Sequence, residues 1–595
     1  MLHLRGNLTD LKYSLFGKRS RAAALGLVLL ASCSRCGGPA AKDATELLPA
    51  QSSSALIVAP LGTLAGKLAA TVQLAGEVPG GEALGAQLHG LSQQLGIDLT
   101  SRDSLLKAGL DPERGAAVAL VDAPGASPQA PAAQPQAQSQ RQNWIAALPL
   151  SSDSAFAQAL EATLSGRAGF PLRSDEPRNG VHCVVFARAS QAEKLGYAIV
   201  RGYGVVARAV DPAALIAEAA ARPLEKSLAQ DPRLARAKTE LDKPDAIYLS
   251  SSGNPLLARL AGRAPPGESA LGLSLLPDGI ALHVTQDLPA ASVQELRAAF
   301  APASPEAFQA PLAPFSLTLD ANASALPGLI ARLPMLRDPF NNLKNAINQA
   351  GADLDKDLLG ALSPGVAIAI DLSPSANIGR ALDPQAMDLR AHTPFDVIRL
   401  YAAASARDPE AARKGLDALA KALPNIGATA VRSAEKKAIA GGIDDEWTTT
   451  YPGGEGIRFG LFVPGRDLCG ESAPARTQAL VYALGGTGSL EQVLAARLPC
   501  ARSNNIGTPT TAPAPLRFEL DLGMLANEIG KLPDTAYGTG PQVFVARSVV
   551  SQVVVPLQRL RASGQLAPNE RGFSLALKLA VIPSANAQRP ESPAP

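Results

Sequence analysis

The chain has 595 residues, of which 46% are hydrophobic and only 4% aromatic, so it can fill sizeable cores, chiefly with Ala, Leu and Val. Its 55 basic and 53 acidic residues leave a net charge of +2, and no basic patch interleaved with aromatics occurs, so composition excludes a nucleic-acid partner. Length alone calls for more than one domain.

Lys18, Arg19 and Arg21 precede an apolar run from Ala22 to Ala31. At about ten residues it is too short to cross a hydrocarbon core, which takes roughly 20, and it has the layout of a secretory signal. Leu30-Ala31-Ser32-Cys33 closes it and resembles the cleavage box of bacterial lipoproteins. That resemblance implies a signal peptide over 1–32, cleavage after Ser32 and acylation of Cys33. Ser34, where an Asp would favour the inner membrane, implies by the same likeness the periplasmic face of the outer membrane. Residues 33–47 read as a tether.

The body follows as runs of strand and helix. Ala116 to Asp122 and Trp144 to Leu150 read as strands separated by the Pro/Ala/Gln-rich insert 123–143, expected as a disordered loop. His182 to Phe186 and Tyr203 to Val210 read as further strands. Asp211-Pro212, Asp231-Pro232 and Asp408-Pro409 each place a capping carboxylate before a proline suited to the first helical position. Leu271–Leu276, Pro277-Asp278-Gly279 and Ile280–Val284 spell a hairpin.

The pattern then recurs. Gly96-Ile97-Asp98-Leu99 and the strand Ala116–Val121 are echoed by Gly351-Ala352-Asp353-Leu354 and Val366–Ile370. A second insert, 373–395, again divides two strands, and Val397–Ala403 and Gln478–Leu484 match the later strands. A finer echo joins Ala55–Val58, Ala246–Leu249, Phe315–Leu319 and Phe518–Leu522, each an extended run followed by a Leu-faced helix. The expectation is α+β: two tandem homologous halves, 48–310 and 311–585, with mostly antiparallel sheets and helices on one face, then a disordered tail over 586–595. Leu47-Leu48-Pro49-Ala50 before a strand, and Gly-x-Asp-Leu before a Val/Ala strand, resemble the uncharacterised bacterial domain-of-unknown-function 3352 family. That likeness implies an envelope protein and brings no catalytic residues.

Chemistry-bearing residues are sparse. With Cys33 given to lipid, Cys469 and Cys500 form the candidate disulfide of an oxidising compartment, contributing roughly 3–4 kcal/mol. Cys36 and Cys183 are left over, Cys183 as a buried strand residue unless the two pair. His182 adjoins Cys183, but neighbours on a strand point to opposite faces, so they cannot act together. His283 reads as a rim residue, and His3, His89 and His392 have no metal-ligand spacing. Asp353-x-Asp355-x-Asp357 starts like a calcium loop but lacks the later Gly and Glu, so it reads as a turn and helix cap. Asp444-Asp445-Glu446 beside Trp447 reads as a solvated loop. Ser433-x-x-Lys436 lacks the companion motifs of serine acyl-enzymes. Leu484–Ser489 is a Gly-rich turn and cap. The expected site inventory is therefore no catalytic residue, no metal and no cofactor. The function expected is a non-enzymatic binding or scaffold role beside an envelope protein partner. A carrier of an apolar ligand such as lipid, and an envelope hydrolase, are the alternatives.

Overall fold

The computed structural model describes residues 41–121, 143–189, 191–254, 257–258, 266–300, 313–322, 325, 327–328, 334–378, 393–426, 428–433, 436–437, 442–464, 479–495, 514–538 and 541–582. The chain divides into two compact units, Met1–Leu288 and Pro289–Pro595, so the division falls earlier than the 310/311 boundary expected. The class is α+β with antiparallel sheets.

Unit 1 is built on strands β1 Ser54–Val58, β2 Ala116–Val121, β3 Asn143–Pro149, β4 Leu172–Arg178, β5 Val181–Ala187, β6 Lys194–Val200, β7 Tyr203–Ala209, β8 Ala246–Ser250, β9 Ser269–Leu276 and β10 Gly279–Asp287. They pair antiparallel in the order β4-β5-β6-β7-β3-β2-β1-β8-β9-β10. Unit 2 uses β11 Phe315–Leu319, β12 Leu362–Leu372, β13 Ile398–Ala406, β14 Thr429–Arg432, β15 Lys436–Lys437, β16 Ile443–Tyr451, β17 Gly454–Val463, β18 Ala479–Gly485, β19 Leu516–Asp521, β20 Leu560–Pro568 and β21 Gly572–Val581. Their order repeats the first: β14 and β15 side by side on β16, then β17-β18-β13-β12-β11-β19-β20-β21. The four strands of the finer echo are the central antiparallel pairs β1·β8 and β11·β19.

Helical cover in unit 1 is wider than the single face expected. Leu61, Leu105, Phe156 and Leu160 pack on the face carrying Val118, Trp144 and Tyr197. On the other face Leu47, Ile216, Leu234 and Leu241 pack over Ala117, Ile145 and Cys183. The reason lies in the strands: β2 and β3 are apolar at successive positions, and their core residues are buried on both sides, so both faces need cover. The three Asp-Pro caps form as expected, with Asp211, Asp231 and Asp408 accepting from backbone N–H groups two or three residues further on. The β9–β10 hairpin turns through Pro277-Asp278 between paired Leu276 and Gly279.

Two expected irregular stretches are partly structured. Residues 41–47, assigned to a tether, belong to the body: Ala41, Ala44 and Leu47 are buried, and Asp43 caps a short 3-10 helix over Ala44–Leu47. In the second insert, Ser373, Ala376 and Ile378 are buried, and Ala376 and Ile378 pack with Leu372, Ile529 and Tyr537. Most of insert 123–143, residues 379–392 of the second insert and the tail 586–595 lie outside the described residues.

Candidate functional site

The most chemically distinctive place in the molecule is a polar band across one sheet face of unit 2. β16 carries Asp444, Asp445 and Glu446, which are 8%, 3% and 6% exposed. This corrects the expectation of a solvated loop. Strand alternation sends Asp444 and Glu446 to one face and Asp445 to the other, and each face supplies partners.

On the first face Tyr482 of β18 places its hydroxyl 2.8 Å from Asp444 Oδ1 and 3.1 Å from Glu446 Oε2. One phenolic proton serves two carboxylates, so it is donated to one at a time. Burial pushes the Tyr482 hydroxyl far above its usual range, and the two carboxylates add to that. Gly460 of β17 sits opposite; a Cβ there would lie 2.6 Å from the Tyr482 hydroxyl, so glycine makes the room. Arg458 Nη1 stands 3.8 Å from Glu446 Oε2, and its Nη2 donates to Gly488 O. The band continues over β13 and β12, where Tyr401 donates to Gln492 Oε1 at 3.0 Å and Arg399 bonds Asp371. A sheet face lined this way offers hydrogen bonds and charge where packing alone would need hydrocarbon.

On the second face Asp445 accepts from Arg413 Nε and Arg432 Nη2, both at 2.7 Å. Burial by itself would raise its pKa, but the two guanidinium groups outweigh that and hold the carboxyl below its usual range. Arg432 also lies 5.3 Å from the Trp447 ring centre, and Trp447 stacks on Phe459. This half of the arrangement is an ion-pair network over the helix Pro409–Ala422.

A second buried acid has no such provision. Asp320, just past β11, is 2% exposed, and among the described residues neither carboxylate oxygen has a hydrogen-bond partner. Arg517 Nη2 approaches only to 3.7 Å. Burial raises its pKa against that distant guanidinium.

In unit 1 the notable polar feature is a row of arginines holding the incoming chain. Arg114 Nη2 donates to Ala41 O at 2.7 Å and stacks over Tyr203. Arg201 pairs with Glu46 at 2.9 Å. Arg222 Nη1 donates to Leu47 O, and Arg233 Nη2 to Ala50 O and Ser52 O. Residues 41–52 are thus clamped across the sheet face.

Of the residues singled out from sequence, Cys33, Cys36, Cys469, Cys500, His3 and His392 lie outside the described residues. Cys183 is fully buried, with its thiol 3.9 Å from Ala213 O. His182 points the other way, 3.9 Å from Asp175. Burial lowers the pKa of His283, and His89 contacts Gln93. Asp353 caps its turn through the N–H groups of Asp355 and Lys356. Asp355 and Asp357 are met by Lys344 and Lys414, so the triplet is a cap with ion pairs. Ser433 donates to Glu446 O, and Ser489 caps the helix after the Gly-rich turn. Among the described residues no three His, Cys, Asp or Glu side chains are grouped to hold a metal. What sequence reasoning missed was the β16 acids. The signal was present in the β-branched and aromatic run Trp447 to Tyr451 that follows them, which extends a strand back through the acids.

No family model and no curated protein matches the chain. Among solved structures it is similar to one described as "Structure of crystal form IV of TP0453", at 10% identity over 43% of this chain and 85% of that one, with a TM-score of 0.22.

Proposed function

We propose that this is an exported envelope protein, acylated at Cys33 and held by that lipid at the periplasmic face of the outer membrane, with a non-enzymatic binding or scaffold role toward an envelope protein. The observation that carries the reading is the order of basic stretch, short apolar run and Leu30-Ala31-Ser32-Cys33. Two or three acyl chains hold firmly because each buried CH₂ contributes about 0.8 kcal/mol. No helix among the described residues is long and apolar enough to cross a membrane. Exposed apolar side chains support a contact role: Phe544 and Val545, on the helix Pro541–Val549, are 79% and 60% exposed.

The test is expression in a bacterium that acylates lipoproteins, with the N-terminal peptide read by mass spectrometry. The expected result is a chain starting at Cys33 with acyl groups on it, found in the membrane fraction, and released to the soluble fraction by Cys33→Ala. An unmodified Cys33 in a soluble chain refutes the reading.

A further inference from the structure

We propose that two helices of unit 1, α1 Leu61–Gly76 and α2 Glu82–Leu95, form a lid: the pair undocks as one body from the sheet face of β8, β9 and β10, about a base that stays folded, and uncovers that face. Acylation of Cys33 is not needed for it. The base is well held. Leu61 N–H donates to Arg114 O at 3.1 Å and Gly62 N–H to Pro112 O at 2.8 Å. Leu61, Ala65 and Leu95 sit in one core with Trp144 and Phe156, and Thr163 Oγ1 donates to Leu95 O.

Beyond the base the cover is thin. Both helices lie wholly within the described residues. Past Ala65 the buried residue of α1 is Thr71, and α2 buries none before Leu95, whereas the helix Pro212–Ala221 buries five of its ten. Leu68, Leu84, Leu88 and Leu91 stay half-buried. So do Tyr248, Leu271, Leu273 and Leu282 of the sheet, which α1 crosses at β9. Register puts Tyr248 and Leu271 on the same side as Leu56, which packs against the core at the base. On the other side of these strands Ile247, Leu249 and Ala270 are buried. Apolar contact stabilises in proportion to the area removed from water, so a half-open contact holds less than a sealed one.

The two helices depend on that contact. At 16 and 14 residues they are near the length at which isolated helices are marginal in water. Their N-caps, Pro60 and Gly81, supply no side-chain hydrogen bond, unlike Asp211 and Asp231 of the same unit. Gly66 and Gly90 lie inside them, and glycine there lowers the helix-to-coil ratio roughly fivefold relative to alanine. Undocking therefore brings loss of helix in both arms together. A polar tie opposes it. Lys67, the single charged residue of α1, reaches Asp245 Oδ1 at 2.7 Å. Asp245 is 4% exposed and is fixed from the sheet side by Leu275 N–H at 2.8 Å. The Lys67 side chain is 43% exposed, so the latch is weak and screened by salt.

The test is hydrogen–deuterium exchange of the full chain, read by mass spectrometry on its peptides. Peptides within 66–76 and 82–91 are expected to share one protection, roughly 100-fold or more below that of β2 and β3. Gly90→Ala, where a Cβ meets nothing within 4 Å, should slow exchange roughly fivefold in α1 as well as in α2. Gly66→Ala, equally unobstructed, should do the same from the other arm. Lys67→Met should speed both arms a few-fold while β9 stays protected. Slowing confined to the substituted helix, or protection of both helices equal to that of β2, overturns the lid. Exchange of β9 at the rate of the two helices overturns it as well, because the sheet would then open with its cover.

Discussion

A rung drawn across each unit shows one framework carrying two kinds of interior. In unit 1 it runs Val184–Tyr197–Val206–Ala146–Val118–Leu56–Tyr248–Leu271–Val284. In unit 2 it runs Trp447–Phe459–Ala483–Ala402–Ile368–Leu317–Phe518–Gly564–Leu577. One residue to the side, on the opposite face, Cys183 and Val205 of unit 1 stand where unit 2 has Glu446 and Tyr482. Val181 stands where unit 2 has Asp444, and Gly196 where it has Arg458. The two solutions match their surroundings. In unit 1 the helix Pro212–Ala221 lies so close that a Cβ on Gly196 would meet Pro212 Cβ at 2.9 Å, and Cys183 and Val205 bury against it. In unit 2 the same positions pair with one another through hydrogen bonds. Backbone pairing is indifferent to this choice, because ladder bonds are made by main chain while the face is set by alternate side chains.

Exchanging residues between the units gives the sharpest way to break the comparison, and each unit holds one of the two tryptophans, Trp144 and Trp447, as its reporter. Cys183→Glu places a carboxylate on the apolar face with no partner. It should destabilise unit 1 by at least about 4 kcal/mol, seen as early loss of the Trp144 signal in a Trp447→Phe background. The reverse exchange, Glu446→Cys, removes one acid and leaves Tyr482 bonded to Asp444. It should destabilise unit 2, read by Trp447, by only about 1–2 kcal/mol. Similar losses in the two units would end the claim that their faces differ in kind.

The N-terminal segment belongs to unit 1 alone. Leu47→Ala, at a fully buried site under the arginine row, should lower the denaturation midpoint of unit 1 by the equivalent of about 2–4 kcal/mol. A residue in a mere tether would give no change.

The smallest expected effect concerns Asp320. Register places it where unit 1 has Ala59, just beyond Val58 and Leu319 at the ends of β1 and β11. The facing charge is Arg517 of β19. Because the folded pKa is raised, the folded state holds the proton more tightly than the unfolded chain. Stability from this group is therefore present below the unfolded value of about 3.9 and is lost as pH rises through the folded value. Asp320→Asn does not titrate, so it should stabilise unit 2 at neutral pH by about 1–2 kcal/mol, and the gap should close in acid. A gap that is the same at both pH values would show that ionisation of Asp320 carries no penalty.

Much of the framework was legible beforehand. The Gly-x-Asp-Leu echo marks equivalent turns: Gly96 and Gly351 take left-handed backbone angles, φ 72° and 90°, and Asp98 and Asp353 each accept backbone N–H groups just after. The Asp-Pro caps and the Pro277-Asp278 turn were readable because they depend on bonds between residues two or three apart. The polar band was not. Asp445 is held by Arg413 and Arg432, 32 and 13 residues away, and Asp444 by Tyr482 at 38. Periodicity within one strand cannot show which distant strand or helix will face it. Nor could the sequence show that Arg222 and Arg233, more than 170 residues downstream, would clamp Leu47 and Ala50.

Sequence by itself determined the class, the antiparallel strands, their recurrence along the chain and the caps that start the helices, since these follow from short-range sterics and hydrogen bonding. Tertiary structure alone decided which buried positions of the sheets carry hydrocarbon and which carry paired charge, and where the body begins. Burial of a charge is tolerable only when groups remote in the chain arrive to pair with it, and that meeting is a property of the folded sheet.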